Sequence, residues 1–208
     1  MKFLNLNKVL CLSAHPDDAE YGMLGTMMKC PKTTFDVLVL SNGGDFDEST
    51  GRGRKKECND IWGSLSNVSG NFIDDVFLKD RPEDAWINEI EKNYNVDSYD
   101  VIFTTPNLDT HFEHRIVNRI AWALIRTSRC GLITYKAPST METWRPNYYV
   151  SVNDIINKKI IMLENFKSQK SKSYFQPDSV KAFHTNYVSS KFGINYVEHY
   201  NIERVFNL

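Results

Sequence analysis

The stretch VLCLSAHPDD, residues 9–18, decides the fold. Its first part, Val9 to Ala14, is a short apolar run whose length is typical of a strand buried in a sheet. The polar residues His15 to Asp18 follow directly and include a proline, which favours a turn. From Ala19 to Lys29 the sequence is compatible with a helix. The segment therefore predicts a buried strand, a polar turn and a helix, in that order.

The same analysis along the chain predicts further elements. Five more apolar runs predict strands at Phe35 to Leu40, Phe72 to Leu78, Val101 to Thr105, Leu132 to Tyr135 and Tyr148 to Val152. Four amphipathic windows predict helices at Arg54 to Leu65, Glu83 to Tyr94, His111 to Arg126 and Asp154 to Phe166. The polar stretch from Asp45 to Gly53 predicts a loop, and the pattern after Ser168 assigns no element.

Strands that alternate with helices predict the fold class. They form βαβ units, and these build an α/β, Rossmann-like and mostly parallel sheet with helices on both faces. Asp109 or Thr110 is expected to cap the helix that starts at His111, and Asn153 or Asp154 the helix near residue 154.

Bulk properties narrow the class of protein. The 208 residues are enough for one α/β domain, which we expect to span residues 1–208. A formal net charge of −1 predicts no nucleic-acid partner. The four cysteines are scattered without a C-x-x-C pair, which favours reduced thiols in a cytoplasmic protein. We find neither a signal-peptide pattern nor an apolar run long enough to span a membrane.

Unusual polar clusters follow three of the predicted strands. They are His15 to Asp18, Ser41 to Asp45 and Asn107 to His114. In a parallel sheet the carboxyl ends of the strands share one edge, and ligands bind beyond that edge. The sequence therefore predicts that these three clusters meet at one rim.

The residue types in two of these clusters suit a metal ion. His111 and His114 lie three residues apart at a predicted helix start, so they face the same way. A catalytic zinc site needs three protein ligands of the His and carboxylate type and a fourth position for water. Taken singly, each motif is more typical of a turn or a surface residue. Two adjacent carboxylates, Asp17 and Asp18, repel each other unless a cation is near, and spacing alone does not say which of them is the ligand.

At these residues the chain resembles the PIG-L/LmbE-like deacetylases, which act on N-acetylglucosamine derivatives and related amino sugars. The first motif reads Ala14-His15-Pro16-Asp17-Asp18-Ala19-Glu20, and the second reads Asp109-Thr110-His111-Phe112-Glu113-His114. A glycine loop at Asn42-Gly43-Gly44 and a later Arg54-x-x-Glu57 pair also match. The resemblance covers about the first two-thirds of the chain.

The resemblance implies a mononuclear zinc site with His15, Asp18 and His114 as ligands; Fe²⁺ is an alternative, because the same ligands accept it. It implies that Asp17 is the general base and that His111 stabilises the oxyanion or acts as an acid. Two departures from the family pattern are Glu113, where an aspartate is usual, and Ala19, which leaves the glutamate one place later.

Substrate contacts are expected from Arg54, which follows the glycine loop, and from Asp80, which resembles a family position that contacts sugar hydroxyls. The basic run around Arg54 is equally typical of a solvated surface. Trp144, Tyr148 and Tyr149 are candidates for a wall that stacks on a sugar, although such residues more often belong to the core.

The expected activity is removal of the N-acetyl group from a small amino-sugar substrate by metal-activated water. Two alternatives stay open: a zinc amidase acting on a non-sugar N-acyl substrate, and a non-catalytic sugar-binding relative. A nucleotide-binding dehydrogenase is disfavoured, because no G-x-G-x-x-G follows the first strand. The sequence does not indicate which oligomeric state the protein adopts.

Overall fold

A computed structural model describes residues 6–41, 43, 48–73 and 77–206, with the side chains of residues 48–52 left out. The strands are β1 Lys8–Ser13, β2 Thr34–Val39, β3 Val68–Phe72, β4 Val101–Thr104, β5 Gly131–Tyr135, β6 Tyr148–Ser151 and β7 Val197–Arg204. The helices are α1 Asp18–Lys29, α2 Glu48–Trp62, α3 Glu83–Asn93, α4 Phe112–Leu124, α5 Ile156–Leu163, α6 Pro177–Phe183 and α7 Tyr187–Ser190.

The seven strands form one sheet in the order β3-β2-β1-β4-β5-β7-β6. The first five strands in this order are parallel, and β7 runs antiparallel to both of its neighbours. The mostly parallel α/β sheet predicted from the sequence is confirmed.

Helices cover both faces of this sheet, as predicted. Along β1 the side chains alternate between two cores: Val9 and Cys11 belong to one, and Leu10 and Leu12 to the other. Helices α1, α2, α5 and α6 contribute to the first core, and α3 and α4 to the second. A central strand that is covered on both faces has a continuous apolar sequence. For this reason β1 can be predicted from the sequence.

Two predicted elements near the middle of the chain are wrong in place or type. The strand expected at Phe72 to Leu78 is instead β3, which ends at Phe72, and Leu78–Asp80 is a short 3-10 helix. Residues of β3 are alternately half-buried and exposed, as is typical of an edge strand. Such a strand does not need a continuous apolar run, and β3 has none. Residues 74–76 lie outside the described part of the chain.

Helix α2 begins earlier than expected. From Glu48 onward the stretch predicted as a loop is helical, although it contains Gly51 and Gly53. Each glycine destabilises a helix by about 1 kcal/mol relative to alanine. Packing farther along the same helix, where Cys58 and Ile61 are buried, can outweigh this cost. Residues 45–47 of the predicted loop are not among those described.

The expected helix caps are also corrected. His111 is the N-cap of α4, in place of Asp109 or Thr110, and its Nδ1 accepts the backbone N–H of Glu113. Helix α5 begins after Ile155, so neither Asn153 nor Asp154 caps it.

The segment that the pattern left unassigned contains α6, α7 and strand β7. The four cysteines are buried and are not joined in disulfides. Among the helices described, none has the length and apolarity needed to cross a bilayer.

Candidate metal centre and active site

Two loops at one edge of the sheet supply the central residues of the site. The loop from β1 to α1 carries His15, Asp17 and Asp18, and the loop from β4 to α4 leads to His111 and His114. Strands β1 and β4 are hydrogen-bonded neighbours in parallel, so their carboxyl ends lie side by side. The ring centroids of His15 and His114 are 5.5 Å apart, although the residues are far apart in the sequence.

Three imidazoles form a compact group. The ring of His111 lies 4.7 Å from that of His15 and 4.6 Å from that of His114. One nitrogen of each ring can be chosen so that all three lie within 4.8 Å of one another. His15 and His114 are buried, whereas His111 is exposed. The group is thus close enough for a shared ligand and open on the side of His111.

Asp18 lies between two of these rings. Its Oδ2 is 3.3 Å from Nδ1 of His15, and its Oδ1 is 3.2 Å from Nε2 of His114. Ligand atoms about 2.1 Å from a tetrahedral zinc ion lie about 3.4 Å from one another. Each contact of Asp18 thus has about the length expected between two ligand atoms of one zinc ion, and the residue types are those that zinc prefers.

In both His15 and His114, the ring nitrogen that does not face Asp18 contacts a second carboxylate. Nε2 of His15 is 2.5 Å from Oε2 of Glu113, and Nδ1 of His114 is 3.1 Å from Oδ2 of Asp109. Such outer carboxylates fix the tautomer and orientation of metal-binding histidines. Glu113, the departure from the family pattern, thus contacts the ring of His15 with its carboxylate and the ring of His111 with its backbone N–H.

The electrostatics of the cluster favour a cation. Burial works against the charged form of His114, but Asp18 and Asp109 raise its pKa to about 10. Burial likewise opposes ionisation of Asp18, yet His114 and His15 hold its pKa well below the usual range. The carboxylates thus remain ionised among imidazoles, which is a setting that stabilises positive charge.

Asp17 faces the same space from a strained backbone. Its φ is 113°, and no other non-glycine residue in the described part of the chain has a positive φ. Burial raises the pKa of its carboxyl group to about 6, with the neighbouring Arg54 opposing that shift. A residue with a side chain adopts such a backbone only where its surroundings impose it, and this occurs preferentially at functional sites.

Arg54 binds Asp17 directly. Its Nη2 lies 2.5 Å from Oδ2 of Asp17, and its Nη1 donates to the backbone oxygen of Gly43. Gly43 has a φ of 65°, and a Cβ there would lie 2.5 Å from Nη1 of Arg54, so the loop requires glycine on both counts. The guanidinium predicted to bind substrate therefore also neutralises the candidate base.

These residues line a cavity of about 470 Å³. Beyond the motifs, its walls are formed by Tyr21, Phe77, Lys79, Pro138, Ser139, Gln169, Lys172, Tyr174 and Phe175. Four of these come from the segment after Ser168, which the sequence pattern left unassigned. A cavity with polar groups at one end and aromatic side chains around it is typical of a small-molecule site.

Several residues singled out from the sequence lie elsewhere. Asp80 is exposed and does not line the cavity, whereas its neighbour Lys79 does. Trp144 is buried, and Tyr148 and Tyr149 lie in the edge strand β6; none of the three lines the cavity. The expected contacts of these residues with a sugar have no support in this geometry.

Asp109 is the main residue that sequence reasoning placed in the wrong role. It was expected to cap a helix, but its Oδ2 contacts His114 and its Oδ1 accepts the backbone N–H of His111. Its side chain is fully buried. A carboxylate five residues before a metal-binding histidine, directly after a strand, is the signal that could have identified it.

The family of the chain follows from comparison with known proteins. Residues 10–125 match the PIG-L family model, described as GlcNAc-PI de-N-acetylase. This match covers more than half of the chain, so the chain belongs to the PIG-L family, as the resemblance of its two motifs predicted. Its class is that of an enzyme that hydrolyses amide bonds.

Individual proteins similar to this chain share less than a quarter of their residues with it. Diacetylchitobiose deacetylase of Thermococcus kodakarensis is 23% identical over 206 residues, a match that covers 80% of this chain and 72% of that protein. The N,N'-diacetylchitobiose deacetylase of Pyrococcus horikoshii, solved with its inhibitor MPG, has a TM-score of 0.79 and 19% identity over 96% of this chain and 85% of its own. GalB of Pseudomonas putida, a 4-carboxy-2-hydroxymuconate hydratase, has a TM-score of 0.77 and 15% identity over 100% of this chain and 98% of its own. Both structures show the fold alone.

Proposed function

We propose that this chain is a zinc-dependent deacetylase that hydrolyses the N-acetyl group of an amino sugar. The observation that carries the proposal is the position of Asp18 between His15 and His114, with Asp17 beside it in a cavity of small-molecule size. The match to the PIG-L family model supports the reaction, and two deacetylases of diacetylchitobiose among the similar proteins support the class of substrate.

His15, Asp18 and His114 would hold the metal ion. A bound zinc ion would supply Lewis-acid chemistry, polarising the amide carbonyl and activating water at neutral pH. Glu113 and Asp109 would orient the two imidazoles through the ring nitrogens that do not face Asp18. Fe²⁺ suits the same donor set, so the identity of the metal is part of the test.

Asp17 is assigned as the general base. It is buried next to the candidate ligand Asp18, and its Oδ2 is held by Arg54. A base works best when its pKa lies near the working pH, and the pKa of Asp17 is raised towards neutrality by burial. Its carboxylate would take a proton from the attacking water and deliver it to the departing amine.

His111 is assigned to the oxyanion. Partial desolvation at the cavity and the nearby His15 lower the pKa of its ring, which favours the neutral form. Nδ1 accepts the N–H of Glu113, which leaves the proton of the neutral ring on Nε2. Nε2 is therefore the atom that would donate to the developing oxyanion.

The cavity walls suit a sugar ring. Phe77, Tyr174 and Phe175 supply aromatic surface around the polar end of the cavity, and Gln169 and Ser139 supply hydrogen-bonding groups. Arg54 also lines the cavity and could reach a substrate hydroxyl from its position on Asp17.

An acetate-release assay with metal analysis on the same sample tests this function. The substrates are N-acetylglucosamine, diacetylchitobiose, N-acetylglucosamine phosphates, nucleotide-linked forms and thiol glycosides. We expect acetate release from at least one of them, loss of that activity after chelation and recovery with Zn²⁺ or Fe²⁺. The metal-loaded protein could instead release acetate from a non-sugar N-acetylated amine and from none of these sugars. That result would show that the substrate is a non-sugar amide. Absence of hydrolysis in both groups would contradict the assignment.

A further inference from the structure

The strained backbone of Asp17 needs a structural cause. A φ of 113° with ψ of −26° is unfavourable for a residue with a Cβ. An ordinary helix N-cap has an extended backbone, so the position of Asp17 before α1 does not by itself explain this conformation. Something must hold the peptide before and after this residue.

Glu20 contacts the backbone of Asp17 from within α1. Its Oε2 accepts the backbone N–H of Asp17 at 3.1 Å, and its Oε1 accepts Nε1–H of Trp62 at 2.6 Å. Glu20 is fully buried. One carboxylate therefore joins the strained peptide to a side chain of α2.

Trp62 is itself held firmly. Its ring stacks on Phe72 of β3 with centroids 5.2 Å apart, and it is 3% exposed. A Cβ on Gly70 would lie 2.1 Å from the ring, so β3 approaches Trp62 as closely as only glycine permits. The indole is thus fixed between α2 and the sheet, and its N–H fixes Glu20.

Helix α2 consequently holds Asp17 at two points. Arg54 binds the carboxylate, and Trp62 holds the backbone through Glu20. The first contact neutralises charge, whereas the second binds the backbone N–H of Asp17.

We propose that Glu20, fixed by Trp62, is a positioning residue that keeps the backbone of Asp17 in the conformation from which its carboxylate faces the reaction. The inference rests on the proposed function for the identity of the base, but the geometry is a property of the chain. Glu20 touches neither substrate nor metal in this scheme and acts only through Asp17.

A double-mutant cycle tests this role. Glu20→Gln offers only one carbonyl oxygen to the two N–H donors, so it loses one of the two contacts. We expect kcat to fall by roughly 10²-fold, as for a group displaced by about 1 Å, with KM and bound metal within about twofold. In an Asp17→Asn background the same change should have no further effect, because a residue that acts through Asp17 has nothing left to position. An equal loss in both backgrounds would overturn the proposal.

Two further variants separate positioning from general damage. Trp62→Phe keeps the aromatic packing but removes the N–H, and should lower kcat in the same way as Glu20→Gln. Glu198→Gln is the matched control: Glu198 is an equally buried glutamate that also binds α1, at Gly25 and Thr26, without contacting Asp17. It should lower the melting temperature and leave kcat unchanged. A normal kcat in Trp62→Phe would contradict the proposal.

A crystal structure of Glu20→Gln gives a readout independent of activity. We expect the φ of Asp17 to leave the positive region or its carboxylate to move away from Arg54. An unchanged Asp17 would refute the positioning role even if the rate falls. If Asp17 moves as expected while the wild-type chain hydrolyses no amide, the geometric role is supported and it is the proposed function that fails.

Discussion

Two clusters of buried charge contact helix α1, and they are built differently. At the start of the helix, Asp17 and Asp18 line an open cavity, and Asp18 contacts two imidazoles. Farther along, Lys159 and Glu198 are completely buried as an ion pair at 2.6 Å. Burial of charge is common to both clusters, so burial alone does not identify the site.

The difference lies in how fully each cluster is satisfied. Glu198 accepts hydrogen bonds from Lys159, from the backbone of Gly25, from the backbone and hydroxyl of Thr26, and from the hydroxyl of Tyr200. In the first cluster Asp17 is paired with Arg54, whereas Asp18 lies against imidazole nitrogens that can bind a metal. A closed network supports the fold, whereas donors that converge on a cavity can bind a ligand.

The largest expected effect comes from removing a ligand of the open cluster. His114→Ala should lose the metal and with it all measurable turnover, because two protein ligands remain of the three that a catalytic site needs. Metal analysis and acetate release on the same preparation measure this. His111→Ala is the matched variant and should retain metal. Loss of metal in both variants would favour the alternative donor set of His15, His111 and His114.

Asp17→Ala should lower turnover strongly without removing metal. General bases contribute roughly 10²–10⁴-fold to rate, so we expect a loss in that range at unchanged metal content. Asp80→Asn is the control, since Asp80 is exposed and outside the cavity lining, and its KM and kcat should match wild type. A near-normal rate in Asp17→Ala would eliminate Asp17 as the base.

These two predictions concern residues that the sequence identified, and the reason is local. His15, Asp17 and Asp18 follow a strand that is apolar on both faces, and the second motif follows another such strand. The topology of a parallel sheet then brings the ends of β1 and β4 together. A contiguous motif at a recognisable strand end can therefore be interpreted without coordinates.

Strand β7 and the cavity wall could not be predicted in this way. Strand β7 buries Glu198 and His199, which are polar, because Lys159 and backbone groups distant in sequence contact them. Tyr174 and Phe175 reach the cavity from a short 3-10 helix, which is too brief to show any periodicity. Partners that come together only in the folded chain leave no local pattern in the sequence.

Breaking the closed cluster should cost stability and leave chemistry intact. Lys159→Met leaves Glu198 buried without its cation, and losing one partner of a buried pair lowers the free energy of unfolding by about 3–5 kcal/mol. Lys158→Met is the control on the exposed face of the same helix and should change little. Denaturant unfolding measures the difference, and kcat per folded molecule should equal wild type. A large loss of kcat in Lys159→Met would mean that the closed cluster also serves the reaction.

A smaller effect is expected from Asp109, which contacts the candidate ligand His114. Asp109→Asn keeps the shape of the side chain but removes the negative charge beside Nδ1 of His114. Losing such a carboxylate typically reduces metal affinity 10–100-fold, and competition with a chelator of known affinity measures it. Unchanged affinity would mean that Ser139, whose Oγ lies 3.2 Å from the same nitrogen, is sufficient to orient the ring.

The smallest effect concerns the pH dependence of stability and His199, a buried residue outside the cavity lining. Burial and the nearby Lys136 lower the pKa of His199 to about 3, so the folded chain keeps this ring neutral while the unfolded chain protonates it near 6.5. Between these values the unfolded state binds more protons, so stability is complete above pH 6.5 and falls as the pH is lowered towards 3. From pH 7.5 to pH 5.5 the contribution of His199 to the free energy of unfolding should fall by about 1.4 kcal/mol. His199→Gln cannot be protonated, so the loss between these pH values should be smaller than in wild type by that amount. Equal slopes for the two proteins in denaturant unfolding at both pH values would show that His199 does not remain neutral in the fold.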